Sequence, residues 1–193
     1  MQEASPGPAT HARISARGHI TSLPRRRKLA VACISAVLVV SSFVRFGVSG
    51  HGLVSAILAA ALVLLTAIDI DRRLLPDVIV MPTLGVVLIV QIAFYPHHTL
   101  EWVLAALGAA LFFFIPMLVY PAGMGLGDVK LAALLGAALG KSVVLAIAIA
   151  LFAAGAFALV VLAREGLGAR KKAVPFGPFL ALGGLVVLFL GGR

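Results

Sequence analysis

The sequence predicts an all-α polytopic membrane protein with about seven transmembrane helices, one of them short. Three observations lead to this fold class. Of the 193 residues, 62% are hydrophobic and only 12% are charged, which is outside the range of soluble domains. The hydrophobic residues form runs, most of them close to the roughly 20 residues that a helix needs to cross a bilayer. The basic residues collect at the ends of these runs, as they do in membrane proteins.

The first element in chain order is a tail. Residues 1–28 contain Gly, Pro, Ser, His and five arginines and few apolar side chains. Such a composition cannot bury enough apolar surface to fold. We therefore predict a flexible basic cytoplasmic tail over residues 1–28, followed by one transmembrane domain over residues 29–193.

Seven apolar runs follow the tail. They cover residues 29–49, 52–68, 78–95, 101–120, 129–140, 142–163 and 176–190. The fifth run is short, about 18 Å of helix at 1.5 Å per residue, so the stretch 129–163 could form one broken helix or two. If the N-terminus is inside and every run crosses the membrane, thirteen of the 16 Lys and Arg residues lie on the inner side. The positive-inside rule therefore predicts two helices with a turn at 140–142, a cytoplasmic N-terminus and an external C-terminus.

The charge balance and the cysteine and histidine content exclude several classes of protein. The net charge of +9 is interpreted as a topology signal, because no basic surface interleaved with aromatic residues accompanies it. The single cysteine, Cys33, lies in an apolar run and can form no internal disulfide. His97 and His98 are adjacent but lack a third ligand, which favours a solvated loop over a metal site. We therefore expect no metal, no cofactor and no nucleic-acid partner.

The four aspartates fall in two segments that share one side of the membrane in this topology. "AIDIDRRLLPDVIV" holds Asp69, Asp71 and Asp77, and "GMGLGDVK" holds Asp128. In each segment an apolar run meets water, so we expect both to form loops at the membrane surface. A carboxylate at membrane depth is costly and suggests a functional site.

Each segment also has a simpler interpretation when taken alone. Asp77 follows Pro76 at a helix start, where an acidic side chain interacts favourably with the helix dipole. Asp128 would cap the N-terminus of a helix after a glycine-rich loop. That loop lacks the Lys-Ser/Thr ending of a phosphate-binding loop, so nucleotide binding is not predicted.

The combination of the two segments indicates acid–base chemistry. Two carboxylates at close range cannot both ionise, so a pair shares one proton. The ionised member can then act as a general base on a water molecule, while the protonated member donates a hydrogen bond to a scissile carbonyl. The sequence shows no Ser-His or Cys-His arrangement that competes with this interpretation.

Three motifs in order resemble those of the type IV prepilin peptidases, which are GXGD-type membrane aspartyl proteases. "GMGLGDVK" is similar to the family's GxGDxK signature. "DIDRRLLPD" resembles its first motif, an aspartate followed seven residues later by Pro and then Asp or Asn. "VPFGPFLALGG", residues 174–184, resembles its Pro-Phe-Gly-Pro loop before the last helix. The resemblance covers roughly residues 55–190.

The resemblance implies that Asp69 and Asp128 are the catalytic pair. It implies an enzyme of the inner membrane, with its active site facing the cytoplasm, that removes the leader peptide of a prepilin or pseudopilin. It also implies substrate contacts by backbone at Gly125, Gly127, Pro175, Phe176, Gly177 and Pro178. The prolines disfavour helix in that last loop, so its backbone groups stay available to pair with an extended substrate.

Bifunctional members of the family carry paired CxxC motifs and also methylate the cut pilin. This sequence has one cysteine, so we predict a peptidase without the N-methyltransferase activity. Two other interpretations stay open. A small ion-coupled transporter or channel would place its acids near mid-membrane in symmetric halves, and a structural membrane subunit would tolerate changes at both aspartates. The sequence predicts neither the particular substrate nor the oligomeric state.

Overall fold

The computed structural model describes residues 25–72, 75–119, 125–165 and 175–190. Within these ranges the chain forms α-helices and two short 3-10 turns, and no strand. The α-helices are α1 (Arg25–Phe46), α2 (Gly50–Arg72), α3 (Asp77–Phe94), α4 (Thr99–Val119), α5 (Leu126–Leu139), α6 (Val143–Glu165) and α7 (Gly177–Leu190). The 3-10 turns are Pro96–His98 and Gly140–Ser142. The all-α class predicted from the sequence is confirmed for the described residues.

Several of these helices are long and apolar enough to span a bilayer. By length and composition, five segments of the described chain qualify: α1, α2, α3, Pro96–Val119 and the continuous stretch Leu126–Arg164. Helix α7 is apolar but has only 14 residues. These segments support a multi-pass membrane protein. The count of seven crossings and the cytoplasmic N-terminus stay predictions, and residues 1–24 of the predicted tail lie outside the described residues.

The predicted turn at Gly140–Ser142 is confirmed as a 3-10 turn that separates α5 from α6. Gly140 has a φ of +57°, in the left-handed region that glycine adopts without steric cost. The last carbonyls of α5 lack helical partners, and Gln91 on α3 supplies one. Its buried Nε2 donates to the carbonyl of Ala138 at 3.1 Å and faces that of Ala137 at 3.4 Å. The turn at Gly140 and the contact with Gln91 therefore determine where α5 ends.

Helix α5 is the centre of the bundle, because it packs against α2, α3, α4 and α7 and is buried along most of its length. Small residues allow the close crossings. A Cβ added at Gly136 of α5 would lie 2.4 Å from the carbonyl oxygen of Ala105 on α4. A Cβ added at Gly183 of α7 would lie 2.2 Å from the carbonyl oxygen of Ala146 on α6. Close backbone approach at small residues is how membrane helices gain packing contact.

We expect Gly136→Ala to destabilise the folded protein by about 1–3 kcal/mol or more, because the added methyl group overlaps backbone that cannot move aside. The measurement is the thermal unfolding midpoint of the purified chain in detergent. Gly85→Ala on α3 is the matched control, since a Cβ there meets nothing within 4 Å. An equal midpoint for both variants would contradict the close α4–α5 crossing.

The bounds of two helices differ from the sequence prediction. Helix α2 continues through Arg72, so Asp69 and Asp71 lie in its last turns and the expectation of a loop at these residues was wrong. The reason is that no Gly or Pro interrupts the chain between Asp69 and Pro76. Helix α1 begins at Arg25, four residues before the predicted start at residue 29.

Candidate active site

The structure places the two predicted aspartates together at one end of the bundle. Asp69 lies in the last turn of α2, and Asp128 is the third residue of α5. Their carboxyl groups lie close enough to repel each other electrostatically. The first residue of α7, Gly177, adjoins Asp69. Three helix ends that are distant in sequence therefore meet around one pair of carboxyl groups.

Asp69 is the more buried member of the pair, with 5% of its surface exposed. The backbone N–H of Gly177 approaches its carboxyl group. Its Oδ2 atom, however, has no hydrogen-bond partner in proper geometry among the described residues. A buried carboxyl oxygen without a partner is costly, and such groups in native proteins need a functional explanation. Asp69 therefore has an acceptor free for a substrate, a water molecule or a shared proton.

Asp128 is half-buried at the start of α5. The N-cap of this helix is Gly125, with φ −89° and ψ 150°, and no side chain caps it in hydrogen-bond geometry. The interpretation of Asp128 as the N-cap was therefore wrong by three positions. Its carboxyl group faces the backbone N–H of Gly125, and the unpaired N–H groups of the first turn provide positive partial charge nearby. These N–H groups offset part of the cost of burying the carboxyl group of Asp128 beside Asp69.

Gly177 lies directly against Asp69. A Cβ added at residue 177 would be 2.5 Å from Oδ2 of Asp69 and 3.1 Å from its Cγ. The sequence predicts a substrate backbone beside this glycine, but the group that approaches it in the structure is the aspartate. Only glycine leaves room for the side chain of Asp69 in this arrangement.

The predicted loop ends earlier than expected, because α7 begins at Gly177 and holds Pro178 in its first turn, where proline is tolerated. The residues on either side of Gly177 divide between packing and exposure. The ring of Phe176 packs against that of Phe113 on α4, with centroids 5.6 Å apart, so Phe176 anchors the loop to the core. Pro175 and Pro178 are half-exposed at the end of the bundle that carries Asp69. Contact of this loop with a substrate stays a prediction.

The two described glycines before Asp128 differ in their surroundings. Gly125 is exposed, and an added Cβ would meet only the backbone nitrogen of Gly127, at 3.8 Å. The corresponding space beside Gly127 is filled by Leu75, whose Cβ would lie 2.8 Å from a Cβ added at Gly127. Gly125 is thus open to an approaching backbone, whereas Gly127 accommodates a side chain of the protein itself. Gly123 lies outside the described residues.

Two ion pairs near the site were not predicted from the sequence. Lys130 Nζ lies 2.6 Å from Oδ2 of Asp77, which joins the first turns of α5 and α3. Arg27 of α1 pairs with Asp71 of α2. The sequence carries a signal for the first pair, because Lys130 and Asp77 have opposite charges in segments predicted on the same side. Asp71 and Asp77 are therefore engaged with cations, whereas Asp69 and Asp128 have no ion-pair partner among the described residues.

The fold and the site together define a class: a multi-pass membrane protein with a carboxyl pair at one end of its helical bundle. The profile of the "Type IV leader peptidase family" matches residues 56–161, which contain both aspartates. The chain belongs to this family.

Three similar curated proteins carry the name "Prepilin leader peptidase/N-methyltransferase". The protein of Burkholderia pseudomallei (strain 1026b) is 33% identical over 162 residues, which cover 81% of this chain and 52% of that protein. The protein of Xanthomonas campestris pv. campestris is 33% identical over 172 residues, covering 83% and 58%. The protein of Pseudomonas putida is 36% identical over 158 residues, covering 76% and 53%. The chain spans about half the length of these relatives, and no solved structure shows significant similarity to it.

Proposed function

We propose that the chain is an aspartic endopeptidase that removes the leader peptide of a prepilin or pseudopilin at the cytoplasmic face of the inner membrane. The observation that carries the proposal is the carboxyl pair of Asp69 and Asp128, in which a buried oxygen of Asp69 has no partner among the described residues. Family membership supports the substrate class, because the relatives are named prepilin leader peptidases.

In this mechanism the pair holds one proton between its two carboxyl groups. The ionised aspartate removes a proton from a water molecule, whose oxygen attacks the scissile carbonyl carbon. The protonated aspartate donates to the carbonyl oxygen and stabilises the charge that develops on it. The proton gained by the base then passes to the leaving nitrogen as the carbon–nitrogen bond breaks. Water is consumed, a carboxylic acid and an amine are formed, and no covalent enzyme intermediate is needed.

The substrate must reach the pair in an extended form, because a helix hides its peptide groups in its own hydrogen bonds. The open face of Gly125 offers one side of such a path. Pro175, which precedes α7, and Pro178, in the first turn of α7, offer the other side, since both prolines are half-exposed beside Gly177. We propose that a leader segment binds between these two places.

The cytoplasmic orientation is part of the proposal and rests on the positive-inside rule. It is tested by labelling single cysteines from outside in a Cys33→Ala background. Probes at His97 and Ser142 are expected to react, and a probe at Arg72 is expected to stay protected. The alternative of a single crossing over 129–163 predicts external labelling near Arg170, a residue outside the described ranges.

The other interpretations have less support. An ion-relay site would need acids near mid-membrane, but Asp69 and Asp128 lie in terminal turns of their helices at one end of the bundle. The absence of methyltransferase activity stays a prediction. The role of the chain as a structural subunit is tested by the aspartate variants described in the Discussion.

The direct cellular test is co-expression with a candidate prepilin, scored by the faster gel mobility that follows leader loss. We expect processed pilin only when the chain is present. Unprocessed prepilin in the presence of well-inserted chain would contradict the proposed function for that substrate, and a panel of prepilins and pseudopilins extends the test.

The Asp77–Lys130 pair is expected to assist the site modestly. Asp77 is 60% exposed, and exposed ion pairs contribute up to about 1 kcal/mol. We therefore expect Asp77→Asn to keep substantial activity, with a rate loss of less than about fivefold. Combining Asp77→Asn with Lys130→Met should lower the cleavage rate little beyond the more damaging of the two single changes, because both changes remove the same contact. A loss as severe as that of the catalytic variants would contradict this assignment.

A further inference from the structure

A groove of about 810 Å³ lies between α4 and α6, at the end of the bundle opposite the two aspartates. Its walls are two apolar stripes with helical spacing. They include Leu104, Gly108 and Phe112 on α4 and Val144, Ile147 and Leu151 on α6. A Cβ added at Gly108 would meet nothing within 4 Å, so the groove has open space at this point.

The mouth of the groove carries both signs of charge. Lys141 Nζ lies 3.3 Å from Oε2 of Glu101, and Nδ1 of His98 lies 3.6 Å from the same oxygen. The side chain of Lys141 is 85% exposed. An ammonium has three donors and a carboxylate has about four acceptor positions. The carboxylate of Glu101 also accepts from the backbone N–H of Lys141, at 3.4 Å from Oε1, so Glu101 keeps one acceptor position and Lys141 keeps two donors for a further partner. The mouth therefore offers one donor group and one acceptor group side by side.

The length of the groove matches one leaflet of a bilayer. From Glu101 to Phe112 the helix α4 rises about 16 Å, and from Lys141 to Leu151 the chain along α6 rises about 15 Å. The hydrocarbon core of a bilayer is about 30 Å thick. With Glu101 and Lys141 at the headgroup level, the apolar walls thus reach close to the midplane.

We propose that this groove binds one zwitterionic phospholipid with a primary ammonium, from the leaflet opposite the aspartates. One acyl chain lies between α4 and α6, the lipid ammonium contacts Glu101, and the phosphate contacts Lys141. An anionic lipid would place its negative headgroup against Glu101 with no cation of its own. A purely apolar helix would fill the walls but would match neither charge at the mouth.

The single tryptophan of the chain provides the probe for this site. Trp102 follows Glu101, and its ring centroid lies 5.9 Å from that of His98. The full chain is reconstituted into vesicles of phosphatidylethanolamine and phosphatidylglycerol, with brominated acyl chains on one of the two lipids at a time. Bromine quenches tryptophan fluorescence at short range. Trp102 is buried beside the mouth of the groove and does not line it, so the comparison of the parental chain with variants of the groove assigns the quenching to a lipid bound there.

We expect brominated phosphatidylethanolamine to show an apparent affinity about two- to fivefold higher than brominated phosphatidylglycerol, the range for exposed charged contacts. The variant carrying Glu101→Gln and Lys141→Met should lose the preference. Gly108→Leu should lose it too, because the new side chain fills the groove. Gly155→Leu on α6 is the matched control and should keep the preference, since a Cβ there also meets nothing within 4 Å.

Equal quenching by the two lipids in the parental chain would overturn the proposal, as would an unchanged preference in Gly108→Leu. If Gly108→Leu slowed prepilin cleavage while the lipid preference persisted, the groove would hold an apolar substrate segment instead. If it altered the oligomeric state with the preference intact, the occupant would be a second copy of the chain. Because lipid quenching needs no peptidase activity, these outcomes are independent of the proposed function.

Discussion

Asp69→Asn and Asp128→Asn are each expected to abolish leader cleavage, with a rate loss of roughly 10⁴-fold or more, because members of one catalytic unit fail singly. Asparagine nearly preserves the shape of the side chain but cannot share or transfer the proton. The measurement is the fraction of co-expressed prepilin that loses its leader, together with the amount of each variant in the membrane.

Asp71→Asn is the matched control for these variants. Asp71 lies two residues after Asp69 on the same helix, but its carboxyl group pairs with Arg27 of α1. We expect this variant to retain substantial activity, because an exposed ion pair contributes little. Parental activity in either Asp69→Asn or Asp128→Asn would remove that residue from the catalytic pair and would favour a structural role for the segment.

The second large effect is expected at Gly177. A methyl group at this position would overlap Oδ2 of Asp69, since an added Cβ would lie only 2.5 Å from that oxygen. Gly177→Ala must therefore displace either the carboxyl group or the start of α7. A misplacement of about 1 Å at a catalytic group can cost about 10²-fold in rate, and Gly177→Val should be at least as severe.

The kinetics of Gly177→Ala distinguish two reasons for the glycine. If the residue gives room to Asp69, kcat falls at saturating prepilin while KM changes little. If it mainly admits a substrate backbone, KM rises and kcat is largely preserved. Gly155→Ala, in open surroundings on α6, should behave as the parental chain. Cleavage by Gly177→Ala at the parental rate under saturation would contradict the close contact with Asp69.

Charge and hydropathy could predict that the segments carrying Asp69 and Asp128 share one side of the membrane, whereas the choice of these two aspartates as the pair came from the resemblance to the prepilin peptidases. Each aspartate adjoins an apolar run, and the positive-inside rule places both runs' ends on one side. The turn at Gly140–Ser142 followed from the same rule, since one crossing over 129–163 would have moved a basic cluster to the other side. Both features depend on the apolar runs and on the distribution of Lys and Arg between them, which can be identified directly in the sequence.

The contacts that shape the site could not be predicted in the same way. Gly177 meets Asp69, and Leu75 fills the space beside Gly127, between segments that are far apart in sequence. No periodicity encodes such pairs, because they depend on how helix ends pack. The N-cap of α5 was misplaced for a related reason: several closely spaced glycines allow a helix to begin at more than one residue.

The central position of α5 also has a consequence for catalysis. This helix carries Asp128 at one end, and at its other end the 3-10 turn and the donor from Gln91 fix where it stops. Backbone crossings at Gly136 hold it against α4. The carboxyl group of Asp128 is therefore placed by a helix that is held at both its end and its middle, as the proposed catalytic role requires of a preorganised group.

The most direct test of the central claim is cleavage of a purified prepilin by the purified chain in vesicles that contain no other protein, with the products identified by mass spectrometry. We predict one cut at the leader junction, with two products whose masses add up to that of the substrate plus one water, and no cut by Asp69→Asn or Asp128→Asn. Intact prepilin in the presence of folded parental chain, or the same cut by either variant, would contradict the assignment of the pair as the catalytic site.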